Sequence, residues 1–133
     1  MSIQSYLAEV TAGGRGPDLP RVMTSTGRTI ELTDRDSGGV VRSDESVVGF
    51  ARMEFALLRV LVDRRKAAID PDRAFVPWHE IAANLSFRSV SVDSENVREL
   101  VRRVRRKLAT AGLEDLIESR QGIGYRLGGT PVG

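Results

Sequence analysis

The spacing of apolar residues changes abruptly near residue 50, and this change constrains the fold more than any other feature. From Arg21 to Phe50 the apolar residues lie in short β-rich runs separated by Gly and Asp. Such runs are typical of antiparallel strands joined by tight turns. From Ala51 onward the apolar residues recur at three- and four-residue intervals, as on a buried helix face. The chain is therefore expected to be α+β, with a small N-terminal antiparallel sheet of three or four strands followed by helices.

Two helices are expected between the sheet and residue 86. The first covers residues 51–68, and its apolar face consists of Phe55, Leu58, Leu61 and Val62. The second begins after Pro77, because proline is favoured in the first turn of a helix. Its apolar face consists of Trp78, Ile81 and Leu85, and we expect all three side chains in the core.

The third helix, Ser94–Ala111, is the most strongly amphipathic segment of the chain. Asp93 or Ser94 can cap its start, and Gly112 ends it. Its apolar stripe consists of Val97, Val101, Val104 and Leu108. Residues 98–107 carry six basic side chains and one acidic one. At about 100° per residue, the helix therefore buries one face and presents arginines on the other.

A β-hairpin is expected over Leu116–Leu127, with its turn at Gln121-Gly122. A small sheet, three helices and a closing hairpin make up a winged helix-turn-helix, in which the hairpin is the wing. We expect this domain to span residues 21–128. Residues 1–20 are interpreted as a flexible segment and linker, and residues 129–133 as a disordered tail.

Composition excludes several classes of function. The chain has no cysteine and a single histidine, His79, so thiolate zinc sites and multi-histidine metal sites are not expected. We expect no catalytic centre, no cofactor and no metal. No apolar run approaches the roughly 20 residues of a membrane span, and no signal pattern opens the chain. A cytoplasmic protein without a membrane partner is therefore expected.

The net charge of +2 conceals an uneven distribution along the chain. Residues 1–50 carry five basic and seven acidic side chains, a balance of −2, whereas residues 94–133 carry eight and five, a balance of +3. Of the twenty basic residues, eighteen are arginines, whose planar fork suits phosphate and guanine. A basic helix followed by a hairpin with Arg120 and Arg126 indicates a surface suited to DNA.

Three motifs carry a resemblance to a known family. They are Glu54-Phe55-Ala56-Leu57-Leu58, VRELVRRVRRKL at 97–108, and IESRQGIGYRL at 117–127, which contains Gly-Ile-Gly-Tyr-Arg. From Phe50 onward the chain resembles the DNA-binding domain of bacterial OmpR/PhoB-type response regulators. The resemblance implies a transcriptional regulator that binds double-stranded DNA. It also implies that the third helix enters the major groove and that the wing touches the minor groove or the backbone.

The resemblance also nominates site residues. On the third helix, those directed to base edges or adjacent phosphates would be Ser94, Asn96, Arg98, Arg102 and Arg103. Arginine can bond guanine, and asparagine can bond adenine, through two hydrogen bonds. Arg105 and Arg106 lie further along and would contact phosphates. In the wing, the nominated residues are Ser119, Arg120 and Gln121.

Four positions depart from the family pattern. Gln121 stands where the wing arginine is usual, and Leu100 stands where histidine is frequent. Pro77-Trp78 replaces a Ser-Arg pair that often contacts phosphate. Ala51 replaces the capping threonine of the first helix, so that only Glu54 remains of the capping box. The base preference therefore stays open.

Other partners follow from the resemblance as expectations. The 20 residues before the sheet are too few for a receiver domain, so a separate signalling partner would supply the input. The connector Ser86–Ser94 matches a loop that contacts RNA polymerase in the family. A homodimer is expected, formed through residues 3–10 or the small sheet. The alternative hypothesis is a winged-helix module that binds another protein and has little or no affinity for DNA.

Overall fold

A computed structural model describes residues 20–85 and 93–132. The sheet strands before the helices are β1 (Arg21–Thr24), β2 (Thr29–Arg35), β3 (Gly38–Arg42) and β4 (Val47–Ala51). The helices are α1 (Arg52–Ala67), α2 (Trp78–Leu85) and α3 (Ser94–Ala109), with 3₁₀ turns at Pro71–Arg73 and Glu114–Leu116. The last strands are β5 (Ile117–Arg120), β6 (Gly124–Leu127) and β7 (Gly129–Val132). The expected segment 3–10 and most of the connector 86–94 lie outside the described residues.

The first four strands form the predicted antiparallel meander, in the order β4-β3-β2-β1. Alternate residues point toward the helices, because a strand turns successive side chains to opposite faces. Those buried on the inner face are Val22, Ile30, Leu32, Val41, Val48 and Phe50. The opposite face remains open to solvent and carries the Arg21–Glu31 ion pair at 3.2 Å.

The prediction of a disordered tail over residues 129–133 is wrong for residues 129–132. These residues form β7, which pairs antiparallel with the free edge of β1, with Val22 opposite Pro131. The reason is that β1 would otherwise present unpaired N–H and C=O groups along that edge. Proline lacks an N–H donor, but an edge strand such as β7 tolerates it.

The predicted apolar faces of α1 and α3 are confirmed. On α1 the expected residues are buried together with Leu57, and on α3 the expected stripe is buried together with Leu100. Helix α3 ends two residues before the predicted position, and Gly112 then adopts a positive φ of 70°. Helix α1 packs against the inner face of the sheet, α3 contacts β4, and α2 packs on α1 and α3, so that the core lies between the sheet and the helices.

Trp78 is the exception among the predicted core residues. Ile81 and Leu85 are buried, but Trp78 is 43% exposed. Its position on the helical wheel is correct, yet it is the first residue of α2 and lies beyond the end of the core. A wheel shows the direction of a side chain but not how far the neighbouring layer extends.

The C-terminal hairpin confirms the winged helix-turn-helix. Strands β5 and β6 pair with Ile117 opposite Leu127 and Arg120 opposite Gly124, and the chain between them turns at the predicted position. An isolated bridge between Val76 and Tyr125 attaches this wing to the segment that leads into α2. The wing, the start of α2 and the start of α3 therefore lie side by side.

Candidate nucleic-acid interface

The start of α3 is fixed by a reciprocal cap. The Asp93 carboxylate accepts a hydrogen bond from the backbone N–H of Asn96 at 2.9 Å, and the side-chain Oδ1 of Asn96 accepts one from the backbone N–H of Asp93 at 3.3 Å. Asp93 is thus one of the two predicted caps. Because the cap uses only the amide oxygen of Asn96, the two N–H donors of this side chain are not consumed by it.

Arg98 and Arg102 lie on the exposed side of α3 and pair with carboxylates of the same helix. Arg98 meets Glu95 at 3.2 Å, and Arg102 meets Glu99 at 2.7 Å. All four side chains are about half exposed or more. Such i, i+3 pairs in water contribute roughly 0–1 kcal/mol, so a phosphate or a guanine can replace the carboxylate at little cost. Arg106 is also exposed.

Arg103 and Lys107 have a different partner, the buried Glu54 of α1. Lys107 Nζ donates to Glu54 Oε1 at 2.6 Å, and Arg103 Nε lies 3.4 Å from Glu54 Oε2. The Glu54 side chain is only 5% exposed, and Lys107 also lies 5.8 Å from the centre of the Phe50 ring. These contacts tie the second half of α3 to α1 and to the end of β4.

These contacts lower the pKa of the Glu54 carboxyl group. Burial alone would raise the pKa of the carboxyl. The hydrogen bonds from Lys107 and from the Ala51 N–H, the Lys107 charge and the hydrogen bond from Arg103 outweigh burial, and they hold the pKa below its usual value. The Ala51 N–H bond, 2.8 Å long, is the predicted remaining half of the capping box.

Sequence reasoning missed the partnership of Glu54 with α3, although a signal was present. On a helical wheel Glu54 falls on the same face as Leu58 and Leu61, both of which are buried. A carboxylate on a buried face needs a cation or several hydrogen-bond donors. The pattern could have predicted that some of the basic residues serve Glu54, but not which ones.

Arg105, which is predicted to contact phosphate, connects α3 to the wing. Its Nε and Nη2 atoms lie 3.3 Å and 3.0 Å from the Ile117 carbonyl oxygen, and both donate to it. The side chain is half-buried. Arg105 thereby fixes the distance between the recognition helix and the first wing strand.

The base of the wing is held by a network around Phe75. The guanidinium carbons of Arg120 and Arg126 lie 4.5 Å and 4.6 Å from the centre of the Phe75 ring. Arg126 also binds Glu118 at 2.7 Å and Asp72 at 3.3 Å, and Arg120 lies 3.9 Å from Asp72. The hydrogen bond to Glu118 is the main cause that raises the pKa of Arg126 above its usual value. The wing is therefore fixed at its base.

Six of the ten predicted site residues line one concavity, which we call the interface cleft. It has a volume of about 490 Å³ and lies between the starts of α2 and α3 and the wing. The predicted residues that line it are Ser94, Arg98, Arg105, Ser119, Arg120 and Gln121. It is also lined by Trp78, His79 and Ile123, which sequence reasoning did not include. Asn96, Arg102, Arg103 and Arg106 lie outside this lining.

Within residues 20–85 and 93–132, no three histidine, aspartate or glutamate side chains come together as a metal site would require. No helix in these ranges has the length and apolar character needed to span a bilayer.

Comparison with known proteins gives one family match. The family described as "Transcriptional regulatory protein, C terminal" matches residues 45–127. This range runs from just before β4 to the end of β6, and it includes all three helices and the wing. No curated protein matches the chain.

Proposed function

The chain belongs to the OmpR/PhoB-type family of transcriptional regulator C-terminal domains, and we propose that α3 and the wing bind duplex DNA together. Members of this family are DNA-binding regulatory domains rather than enzymes. In the proposed complex α3 lies in the major groove, and the wing lies on the minor groove or the adjacent backbone. A helix of about 10–12 Å diameter fits a major groove of about 12 Å.

The interface cleft is the single observation that carries this proposal. It brings Arg98 and Arg105 of α3 together with Arg120 of the wing in one concave surface. No acidic side chain is among the described residues that line it. A concentration of cations between two elements that flank one DNA strand favours a phosphate backbone as ligand.

Each predicted residue of α3 has a proposed role. The guanidinium groups of Arg98 and Arg102 leave Glu95 and Glu99 and bind base edges or phosphates. Ser94 and Asn96 offer short polar groups beside them. Arg106 contacts phosphate. The guanidinium groups of Arg103 and Arg105 are occupied by Glu54 and the Ile117 carbonyl. We therefore expect these two residues to act mainly by holding α3 and the wing in place.

In the wing, Ser119, Arg120 and Gln121 are the proposed contacts. All three are exposed and line the interface cleft. Stacking on Phe75 leaves the edge of the Arg120 guanidinium available, because a cation–π contact uses its face. Gln121 stands at the tip and can donate and accept hydrogen bonds at a minor-groove edge.

The direct test is a titration of fluorescein-labelled 30-base-pair duplexes of random sequence, followed by anisotropy. We expect binding whose affinity falls steeply as salt rises, because arginines displace condensed counterions. Arg98→Ala and Arg102→Ala should each weaken binding and lower the salt slope by roughly one unit. The matched control is Arg42→Ala, an exposed arginine on strand β3. Undetectable or salt-independent binding by the unaltered protein would overturn the proposal.

Transcriptional control requires partners beyond DNA. We propose a cytoplasmic protein that binds as a homodimer and contacts RNA polymerase. Size-exclusion chromatography coupled to light scattering, with and without duplex DNA, tests the dimer. A monomer in both conditions would contradict it.

A second candidate function is a protein-binding module. The observation that favours it is that Arg98, Arg102, Arg103 and Lys107 are already paired with carboxylates. Capture of a stoichiometric protein partner from lysate, retained after nuclease treatment and without enriched DNA, would support this function over the first.

A further inference from the structure

Two large apolar side chains in the lining of the interface cleft are exposed. Trp78, at the start of α2, is 43% exposed, and Ile123, at the wing tip, is 51% exposed. Both line the cleft. Tryptophan is highly buried on average, so an exposed indole beside an exposed isoleucine in a concave surface indicates a contact with a partner.

The wing side of the cleft is held in a defined position. The N–H groups of Val76 and Tyr125 each donate to the other residue's carbonyl, at 2.7 Å and 3.0 Å. Gly124 has a φ of 151°, and a side chain there would collide with the Val76 carbonyl. The Ile123 N–H donates to the Arg120 carbonyl at 3.0 Å and closes the turn at the tip. The backbone of the wing is therefore attached, before any ligand binds, to the segment that leads into Trp78.

The charges that line the cleft favour a ligand with anionic groups. Arg98, Arg105 and Arg120 line it together with the two apolar side chains, and the described lining residues include no carboxylate. A ligand that suits this surface alternates anionic groups with apolar ones along its length. The sugar–phosphate strand of DNA has this character, since each phosphate is followed by the hydrocarbon face of a deoxyribose.

We propose that Trp78 and Ile123 are apolar contacts to the deoxyribose rings of the DNA strand that crosses the cleft between the major and minor grooves. The proposal rests on the proposed function and adds to it a non-ionic part of the site. Apolar contacts release no counterions, and this property separates them from the arginines.

The test compares the salt dependence of variants on the same labelled random-sequence duplexes. We expect Trp78→Ala to weaken binding roughly tenfold and Ile123→Ala roughly threefold, with an unchanged slope of log affinity against log salt. Trp78→Phe should keep most of the affinity. The matched control is Ile69→Ala, because Ile69 is a fully exposed isoleucine that does not line the cleft. Circular dichroism verifies that each variant folds.

Trp78 is also a direct probe, because it is the single tryptophan of the chain. Its fluorescence should change on titration with unlabelled duplex and saturate at the same concentration as the anisotropy signal. Normal anisotropy with unchanged Trp78 fluorescence, or with unchanged affinity in Trp78→Ala, would overturn this inference and leave the proposed function standing. A salt slope reduced by one unit in Trp78→Ala would also overturn it. No binding by the unaltered protein would overturn both.

Discussion

Two rows of basic side chains run along α3 and are used differently. In the first row, Arg98 and Arg102 pair with Glu95 and Glu99, which are exposed and belong to the same helix. In the second row, Arg103 and Lys107 pair with Glu54, which is buried and belongs to α1. The first pairs are local and can be exchanged, whereas the second pairs hold one element to another. A basic helix therefore does not offer all its cations to DNA.

The burial of the carboxylate decides between the two roles. A carboxylate in water is well solvated without its arginine, so breaking the pair costs little. A buried carboxylate that loses its donors retains a large desolvation penalty. The four predictions below test this division, from the largest expected effect to the smallest.

Substitution of the buried carboxylate should have the largest effect. Glu54→Gln removes the charge that Arg103 and Lys107 share, and we expect the free energy of unfolding to fall by about 2 kcal/mol. Urea unfolding followed by circular dichroism measures the change. The matched control, Glu95→Gln, should stay within about 0.5 kcal/mol of the unaltered protein. Equal effects in the two variants would remove the distinction between the two rows of basic residues on α3.

Substitutions of the neighbouring residues Arg102 and Arg103 should have different effects, one on DNA binding and the other on stability. Arg102→Ala should weaken DNA binding roughly tenfold, about 1.4 kcal/mol, without changing the free energy of unfolding. Arg103→Ala should lower the free energy of unfolding by about 1 kcal/mol, because it removes a donor from Glu54. Anisotropy and urea unfolding on both variants test this pair. An Arg103 variant of full stability but with the larger loss of binding would reverse the assignment.

Acid should remove the stabilising contribution of Glu54. The pKa of Glu54 is lowered in the folded state, so its stabilising contribution is complete above the ordinary value of 4.5 and is lost as the pH falls through the lower folded value. Unfolding free energies measured between pH 7 and pH 3 should fall less steeply for Glu54→Gln than for the unaltered protein. Parallel curves would show that Glu54 does not contribute to the acid response.

Removal of an exposed carboxylate should have the smallest effect, and in the opposite direction. Glu99→Gln frees Arg102 from an intramolecular competitor and removes a charge that repels phosphate. We expect random-sequence duplexes to bind roughly two- to threefold more tightly, about 0.5 kcal/mol. The anisotropy titration at low salt measures this gain, which should shrink at high salt. A loss of affinity would mean that Glu99 itself contacts a base.

Much of the fold follows from local pattern. The four-strand meander, the three helices and the hairpin each have a period or a turn signal within a short window, and all of them are observed. The family motifs at 54–58, 97–108 and 122–126 lie in the matched range 45–127. The errors concern features that depend on contacts between residues far apart in the sequence. Strand β7 completes the edge of β1, and Trp78 extends beyond the core.

The sequence by itself determined that α3 is amphipathic and basic, because the direction of a side chain on a helix follows from its position alone. Only the tertiary structure decided what each cation does. Glu54 lies 49 positions before Arg103 and Phe75 lies 45 positions before Arg120, and no local period relates residues so far apart. Packing brings Glu54 under the second half of α3 and Phe75 under the wing. It thereby assigns some arginines to the protein's own stability and leaves others in the interface cleft.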